Sequence, residues 1–339
     1  MALGLCLLVG VWLSLSLGAV QLAPDALWAA LWGETGDVAE VIVRALRAPR
    51  LLLAMTAGAV LAMSGVALQA LFRNPLADPA LIGVSAGAAV GAAGVTVLLP
   101  TLIAGTSAAA VLGASGFAAS FVAPVAAFAG AVGAAWILWR VATHGGRPQV
   151  ARMLLAGVAL NALAGALVGL ALHAADAHGL RALTGWMLGS LSGSTWATVA
   201  APVALAAAAM VGLARTASQL DALLLGDRGA RQLGVDPDKL LRRVALWVAL
   251  GVGAAVAVTG IIGFIGLVVP HGLRLWLGPR HRALMPLAAL GGAALLVLAD
   301  VAARTLLAPS ELPVGVLTSL LGAPFFLLLV ARARPGELA

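Results

Sequence analysis

Few residues of this 339-residue chain are equipped for chemistry. His173 and His178 stand near the end of an apolar run, with Arg181 three residues further on. Imidazoles so placed can attend a metal and the guanidinium can meet a carboxylate, although a histidine at the edge of an apolar run is ordinarily a solvated residue. Met55, Met63 and Met187 offer soft thioethers suited to a smooth, weakly adhesive wall, and equally to plain core packing. Nothing goes further than this. There is no phosphate-binding Gly-rich loop ending in Lys-Ser or Lys-Thr and no paired His-Glu metalloprotease pattern. The one cysteine, Cys6, lies among leucines, so a cysteine pair is excluded. The sequence holds no catalytic constellation and no metal-ligating set.

The elements that would position these groups follow from composition. With 62% hydrophobic and 10% charged residues and a mean hydropathy of +1.07, the chain is far from a water-soluble globule, in which about a quarter of residues are charged. It reads as an all-α polytopic membrane protein. At about 20 residues per crossing the length admits roughly ten spans. The apolar runs place them at about 2–22, 51–71, 80–100, 118–139, 153–172, 196–213, 244–258, 260–276, 284–299 and 314–330, in a single transmembrane domain covering 1–339. The first run lacks a basic leader and exceeds a signal-peptide core, so it is expected to be retained. Residues 23–46, acidic and carrying Trp28 and Trp32, suit an interfacial loop. Gly105 to Ser120, rich in small residues, is expected to form a broken or re-entrant lead into the fourth span. Gly83, Gly87 and Gly91, and likewise Gly157, Asn161, Gly165 and Gly169, recur every four residues, a pattern that lets helix backbones meet closely in lipid.

The net charge of +7 is almost all arginine, Lys239 being the one lysine. A high isoelectric point often accompanies nucleic-acid binding, but these charges sit in short connections rather than on one face, and nucleic acid is excluded as a partner. They report topology instead. Alternating the connections puts fifteen of the twenty basic residues on one side and leaves Arg44, Arg47, Arg50, Arg181 and Arg304 on the other. The richer side is cytoplasmic by the positive-inside rule, which places both termini there. The longest charged stretch, 215–243, lies on that side.

Between the second and third spans, Arg73, Asn74, Pro75, Asp78 and Pro79 interrupt the helix, each proline removing an amide donor and restricting the residue before it. This turn and its surroundings resemble a known family. Arg47-Ala48-Pro49-Arg50, Ser64-Gly65, Gln69, Arg73-Asn74-Pro75-Leu76-Ala77, Pro79 and Gly83 look like the signature of the FecCD or BtuC type, the permease subunits of iron-chelate, heme and cobalamin ABC importers. A second block is similar in the same way: Gly263-Phe264-Ile265-Gly266-Leu267-Val268-Val269-Pro270-His271, Asp300, Arg304, Glu311-Leu312-Pro313-Val314-Gly315 and Gly322-Ala323-Pro324. The resemblance runs from about residue 40 to the C-terminus.

The resemblance implies a ten-helix permease in the bacterial inner membrane, working as a homodimer in lipid with two copies of an ABC ATPase and a periplasmic substrate-binding protein. It implies no permanently bound cofactor; heme or an iron chelate would be cargo. ATP hydrolysis would belong to the partner. By the same resemblance Arg47, Arg50 and Arg304 would dock the binding protein. Asn74 and Leu76, joined by Val150 and Ala151, would line a cytoplasmic gate in which Pro75 stiffens the turn. The segment holding Leu225, Gly226, Arg228, Ala230, Arg231, Leu233 and Gly234 would couple to the ATPase, with Ala230 and Leu233 as an apolar face and the arginines as charge partners. The run Leu180-Arg181-Ala182-Leu183-Thr184-Gly185-Trp186-Met187-Leu188-Gly189-Ser190-Leu191 looks most like the heme members, which would put Met55, Met63, His173, His178, Arg181 and Met187 along a substrate path. A ferric siderophore or cobalamin is the alternative cargo. The absence of tyrosine removes a Tyr ligand to heme iron. A secondary transporter would place ionisable residues at span centres, whereas Asp300 and Glu311 fall at span ends, and a membrane enzyme would need a carboxylate or histidine cluster at one depth.

Overall fold

The computed structural model describes residues 2–18, 20–33, 38–99, 116–145 and 147–332. Its helices are α1 (Ala2–Ser16), α2 (Pro24–Trp32), α3 (Val38–Phe72), α4 (Val84–Leu98), α5 (Gly116–Ala142), α6 (Val150–Ala174) and α7 (Ala177–Met187). They continue with α8 (Trp196–Leu223), α9 (Gly226–Gln232), α10 (Pro237–Thr259), α11 (Ile265–Leu277), α12 (His281–Thr305) and α13 (Val314–Arg332). Among the described residues six helices are long and apolar enough to cross a membrane, α3, α5, α6, α8, α10 and α12. Four more, α1, α4, α11 and α13, are apolar and shorter. The strand content described is one two-residue ladder, Thr143–His144 with Arg147–Pro148. This is an all-α polytopic membrane protein.

α3 is the axis of the packing. Its apolar window is 83% buried inside the protein, against 17% for α5 and 28% for α6 and α8, so α3 is surrounded by other helices while the latter three face outward. Helices come close enough for this because glycines meet at the crossings. A Cβ on Gly58 would lie 2.2 Å from the Gly292 carbonyl oxygen of α12, and one on Gly65 would lie 1.8 Å from that of Gly266 in α11. Lipid gives helices no hydrophobic reason to associate, so close backbone approach carries the packing. α4 and α5 meet in the same way through Gly87 and Gly130.

Several elements depart from the sequence expectation. Residues 23–46 contain α2 and the first turns of α3, because the apolar spacing of Val38, Val41, Ile42 and Val43 continues the helix outward. Val41–Arg47 is a wide π-helical turn just before Pro49, whose missing amide leaves the Arg44 carbonyl free. The indole Nε1 of Trp196 donates to that carbonyl at 2.8 Å. Asp78 caps a short 3₁₀ turn, Pro79–Ile82, so α4 begins only at Val84, after Gly83 in the left-handed conformation. The span expected at 260–276 opens with a non-helical stretch through residue 264, and α11 starts at Ile265. The charged stretch 215–243 is mostly helical extension: α8 runs on to Leu223 and α10 starts at Pro237, leaving α9 as the one separate helix between them. α12 reaches Thr305, so Asp300 and Arg304 lie inside a helix rather than in a loop. Of the expected re-entrant segment, residues 105–115 lie outside the described residues.

Candidate functional site

Two clusters of sequence-predicted residues form, one at each end of the bundle. At the end bearing Arg73, α3 closes on a left-handed residue, Arg73 at φ 48°, and the chain turns back. The Asn74 side chain accepts from the Leu76 amide at 2.8 Å, and the Asn74 carbonyl accepts from the Ala77 amide at 3.1 Å. These bonds build a stiff turn with Leu76 half-buried. Asp78 follows, and burial pushes its carboxyl up, opposed by the Ala80 amide that donates to it at 2.8 Å.

This turn is tied to α9. Arg73 Nη2 donates to Asp227 Oδ1 at 2.5 Å, across 154 positions of sequence. Both side chains are more than half exposed. On α9, Ala230 is fully buried, while the residues capping its two ends, Leu225 and Leu233, are 67% and 62% exposed. The apolar face that α9 presents outward is therefore Leu225 and Leu233, with Leu224 beside them; Ala230 turns inward and holds the helix to the bundle. Arg228 and Arg231 are exposed, and Arg231 approaches Asp238 at 3.8 Å. Gly226 and Gly234, both at positive φ, open and close this helix. Val150 lines a cavity of about 370 Å³ shared by Arg73, Asp227 and Asp238, and Ala151 is exposed. A second cavity, about 560 Å³, lies beneath Pro75 and Gly226 and reaches His281. His281 is 1% exposed, and its backbone amide and Nδ1 both contact Asp221 Oδ1. Asp221, on α8, thus holds the start of α12.

At the opposite end, three arginines converge: Arg47 serves backbone carbonyls, Arg50 serves carboxylates, and Arg304 serves both, sharing Asp300 with Arg50. Arg47 is 6% exposed and donates to the carbonyls of Leu15 and Val20. Arg304, 7% exposed, donates to the Leu17 and Ser14 carbonyls at 3.3 Å each and to Ser14 Oγ at 3.0 Å. These acceptors are the carbonyls at and just past the end of α1, which have no helical amide to serve them. Cations also suit a helix C-terminus electrostatically. Arg50 belongs to another arrangement. Its Nε and Nη2 grip Asp300 at 2.8–3.2 Å, and its Nη1 donates to both oxygens of Glu311 at 3.0 and 3.1 Å. Arg304 Nε also lies 3.2 Å from Asp300 Oδ2. Of the three arginines, Arg50 is the one whose partner reaches solvent: Asp300 is 1% exposed and Glu311 40%.

The remaining candidates are scattered. His173, His178 and Arg181 are exposed, and Arg181 Nε bonds the Ala177 carbonyl of its own helix at 3.1 Å. Met63 is buried in the core and Met55 is half-buried on α3. Met187 lines an apolar cavity of about 550 Å³ with Ile261, Gly263, Gly315 and Ser319. Gly157 packs against the Leu81 carbonyl and Asn161 donates to Ala80, but Gly165 and Gly169 of the same stripe face open space. Among the described residues there is no group of three His, Cys, Asp or Glu able to hold a metal.

The chain belongs to the FecCD transport family, whose model matches residues 6–332, and this makes the helical bundle a membrane permease of the ABC-importer kind. It is 44% identical over 325 residues to the hemin transport system permease HmuU of Yersinia pestis, covering 95% of this chain and 91% of that one. It is 42% identical over 294 residues to the cobalamin import permease BtuC of Halobacterium salinarum, covering 87% and 74%. With the vitamin B12 import permease BtuC of Vibrio cholerae it shares 41% over 339 residues, covering 96% and 93%. A solved metal-chelate type ABC transporter in an inward-facing conformation superposes with a TM-score of 0.82 at 29% identity, covering 98% of each chain.

Proposed function

We propose that this chain is the permease subunit of a binding-protein-dependent importer that moves heme, or a related iron chelate, across the bacterial inner membrane. Two copies form the pore, two copies of a separate ATPase drive it, and a periplasmic binding protein delivers the cargo. Both termini lie in the cytoplasm, with the Arg73 end. The observation that carries this reading is the Arg73–Asp227 pair. It joins the turn containing Asn74 and Leu76 directly to α9, so a partner that moves α9 moves the turn. Leu225 and Leu233 give that partner an apolar surface, and Arg228 and Arg231 flank it with charge. Leu76, with Val150 and Ala151 beside the neighbouring cavity, supplies the small or apolar surface that an ion-tight gate requires. At the other end Arg50, within the frame built by Arg47 and Arg304, receives acidic groups of the binding protein. The cavity beside Met187 lies on the cargo path.

Heme as cargo is supported by the 44% identity to a hemin permease and by the 180–191 run. Cobalamin is the second reading, supported by relatives at 41–42% identity. Vesicles carrying the permease and its ATPase, loaded outside with the cognate binding protein, decide between them. ATP-dependent uptake of heme in preference to cobalamin is expected, and uptake of cobalamin without heme overturns the assignment.

A further inference from the structure

We infer that Glu311 is a built-in occupant of the docking cation, a positioning residue that holds Arg50 until a carboxylate of the incoming binding protein takes its place. This inference rests on the docking reading above. Its basis is the unequal division of one guanidinium between two acids. The Nε and Nη2 edge of Arg50 is fixed on Asp300, which is 1% exposed and is also bound by Arg304. The Nη1 corner is given to Glu311, which is 40% exposed and lies on the connection between α12 and α13. A buried acid shared by two arginines cannot leave without stranding both charges. An exposed acid in contact with one donor can leave, because water and a competing carboxylate replace what it loses. Glu311 is therefore the exchangeable member of the set.

Release of Glu311 has somewhere to go. The connection around it is exposed at Leu306 and Leu307 and is held by the backbone bonds Leu306 to Ala302 at 3.0 Å, Ser310 to Leu307 and Leu312 to Ala303 at 2.9 Å and Val316 to Pro313 at 3.1 Å, with Leu312 half-buried against the core. Three residues after Glu311 the chain enters α13, where the Gly315 amide meets the Gly189 carbonyl at 3.4 Å. Gly315 also lies so close to the Leu188 and Ile261 carbonyls that a Cβ there would come within 2.3 and 2.7 Å of them. Those same residues wall the cavity that Met187 lines. Occupation of Arg50 by an outside carboxylate thus frees the segment that leads directly into the cavity wall, which links arrival of the binding protein to the cargo path.

The test uses the permease assembled with its ATPase in nanodiscs and reads binding-protein affinity at low ionic strength together with ATPase activity without the binding protein. Glu311→Gln removes the competitor and is expected to tighten docking by about two- to fivefold, the range of one exposed ion pair, and to raise that ATPase activity. A purely structural role for Glu311 would weaken docking or leave it unchanged, so a gain separates the two. Glu311→Asp keeps the charge with a shorter reach and gives the same sign at smaller size, which preserves the test should Glu311→Gln not fold. If Arg50→Gln weakens docking while neither Glu311 variant tightens it, the exchange is wrong and the docking surface stands. If Arg50→Gln and both Glu311 variants leave docking unchanged, the docking reading falls and the exchange falls with it.

Discussion

The two ends of the bundle handle charge in opposite ways. At the Arg47 end, Arg50 and Arg304 share Asp300, Arg50 also holds Glu311, and Arg47 is bound to backbone carbonyls beside them; Arg47, Arg304 and Asp300 are each no more than 7% exposed. At the Arg73 end, the pairs Arg73–Asp227, Arg231–Asp238 and Lys239–Asp236 are single contacts between largely exposed side chains. A buried network of this kind is costly to break because any survivor is left desolvated. Exposed pairs contribute little and can be exchanged for contacts with a partner. The first end therefore fixes the end of α1, the Arg47–Arg50 turn of α3 and the last turns of α12 relative to one another, and the second leaves α9 free to be gripped from outside. Glu311, exposed yet attached to the buried network, is the point at which the fixed end also becomes exchangeable.

The contrast predicts a steep ranking of substitutions. Asp300→Asn strands Arg50 and Arg304 and should cost about 3–5 kcal/mol, read as a large drop in the thermal midpoint of the detergent-solubilised protein; a change below about 1 kcal/mol would show that the network is not what holds this end. Arg231→Glu combined with Leu233→Glu should abolish co-purification of the ATPase while the thermal midpoint stays near wild type. Retention of the ATPase at wild-type level would remove α9 as the coupling surface. Leu76→Gly should make reconstituted vesicles leak small solutes without ATP, and an unchanged leak from a folded protein would reduce the turn to a mere connection. Smallest of all, Arg73→Ala should shift stability by no more than about 1 kcal/mol, since both partners are exposed, yet it should uncouple ATP hydrolysis from uptake if the pair transmits motion. A stability loss matching that of Asp300→Asn would erase the distinction between the two ends.

The same contrast marks how far the sequence could be read. The turn at residues 73–79 is legible because its determinants are local: prolines that end a helix, an asparagine that bonds two residues on, an aspartate that caps the next turn. The close crossing of α4 with α5 is legible in the spacing of Gly87 and Gly91, the α3 crossings at Gly58 and Gly65 are not, and spacing alone cannot tell that Gly157 meets a backbone while Gly165 and Gly169 face open space. Helix ends are not legible from where the apolar runs stop, since α8, α10 and α12 continue helically through their charged turns.

From its sequence alone the chain determined that it lies in a membrane, that its apolar runs are long enough to form spanning helices, and where the polar turn and the charged segment lie. Each of these depends on residues close together in the chain. What only the tertiary structure decided is what the arginines are for. Arg50 meets Asp300 across 250 positions, and Arg304 reaches Ser14 across 290. Other acceptors of these arginines, on Ser14, Leu15, Leu17 and Val20, are backbone carbonyls, which every residue possesses and no sequence pattern distinguishes. Arginine on the sparse side of the membrane was a visible exception to the charge rule; its reason, the unserved end of α1 and a buried acid shared by two guanidinium groups, exists only once the helices are packed.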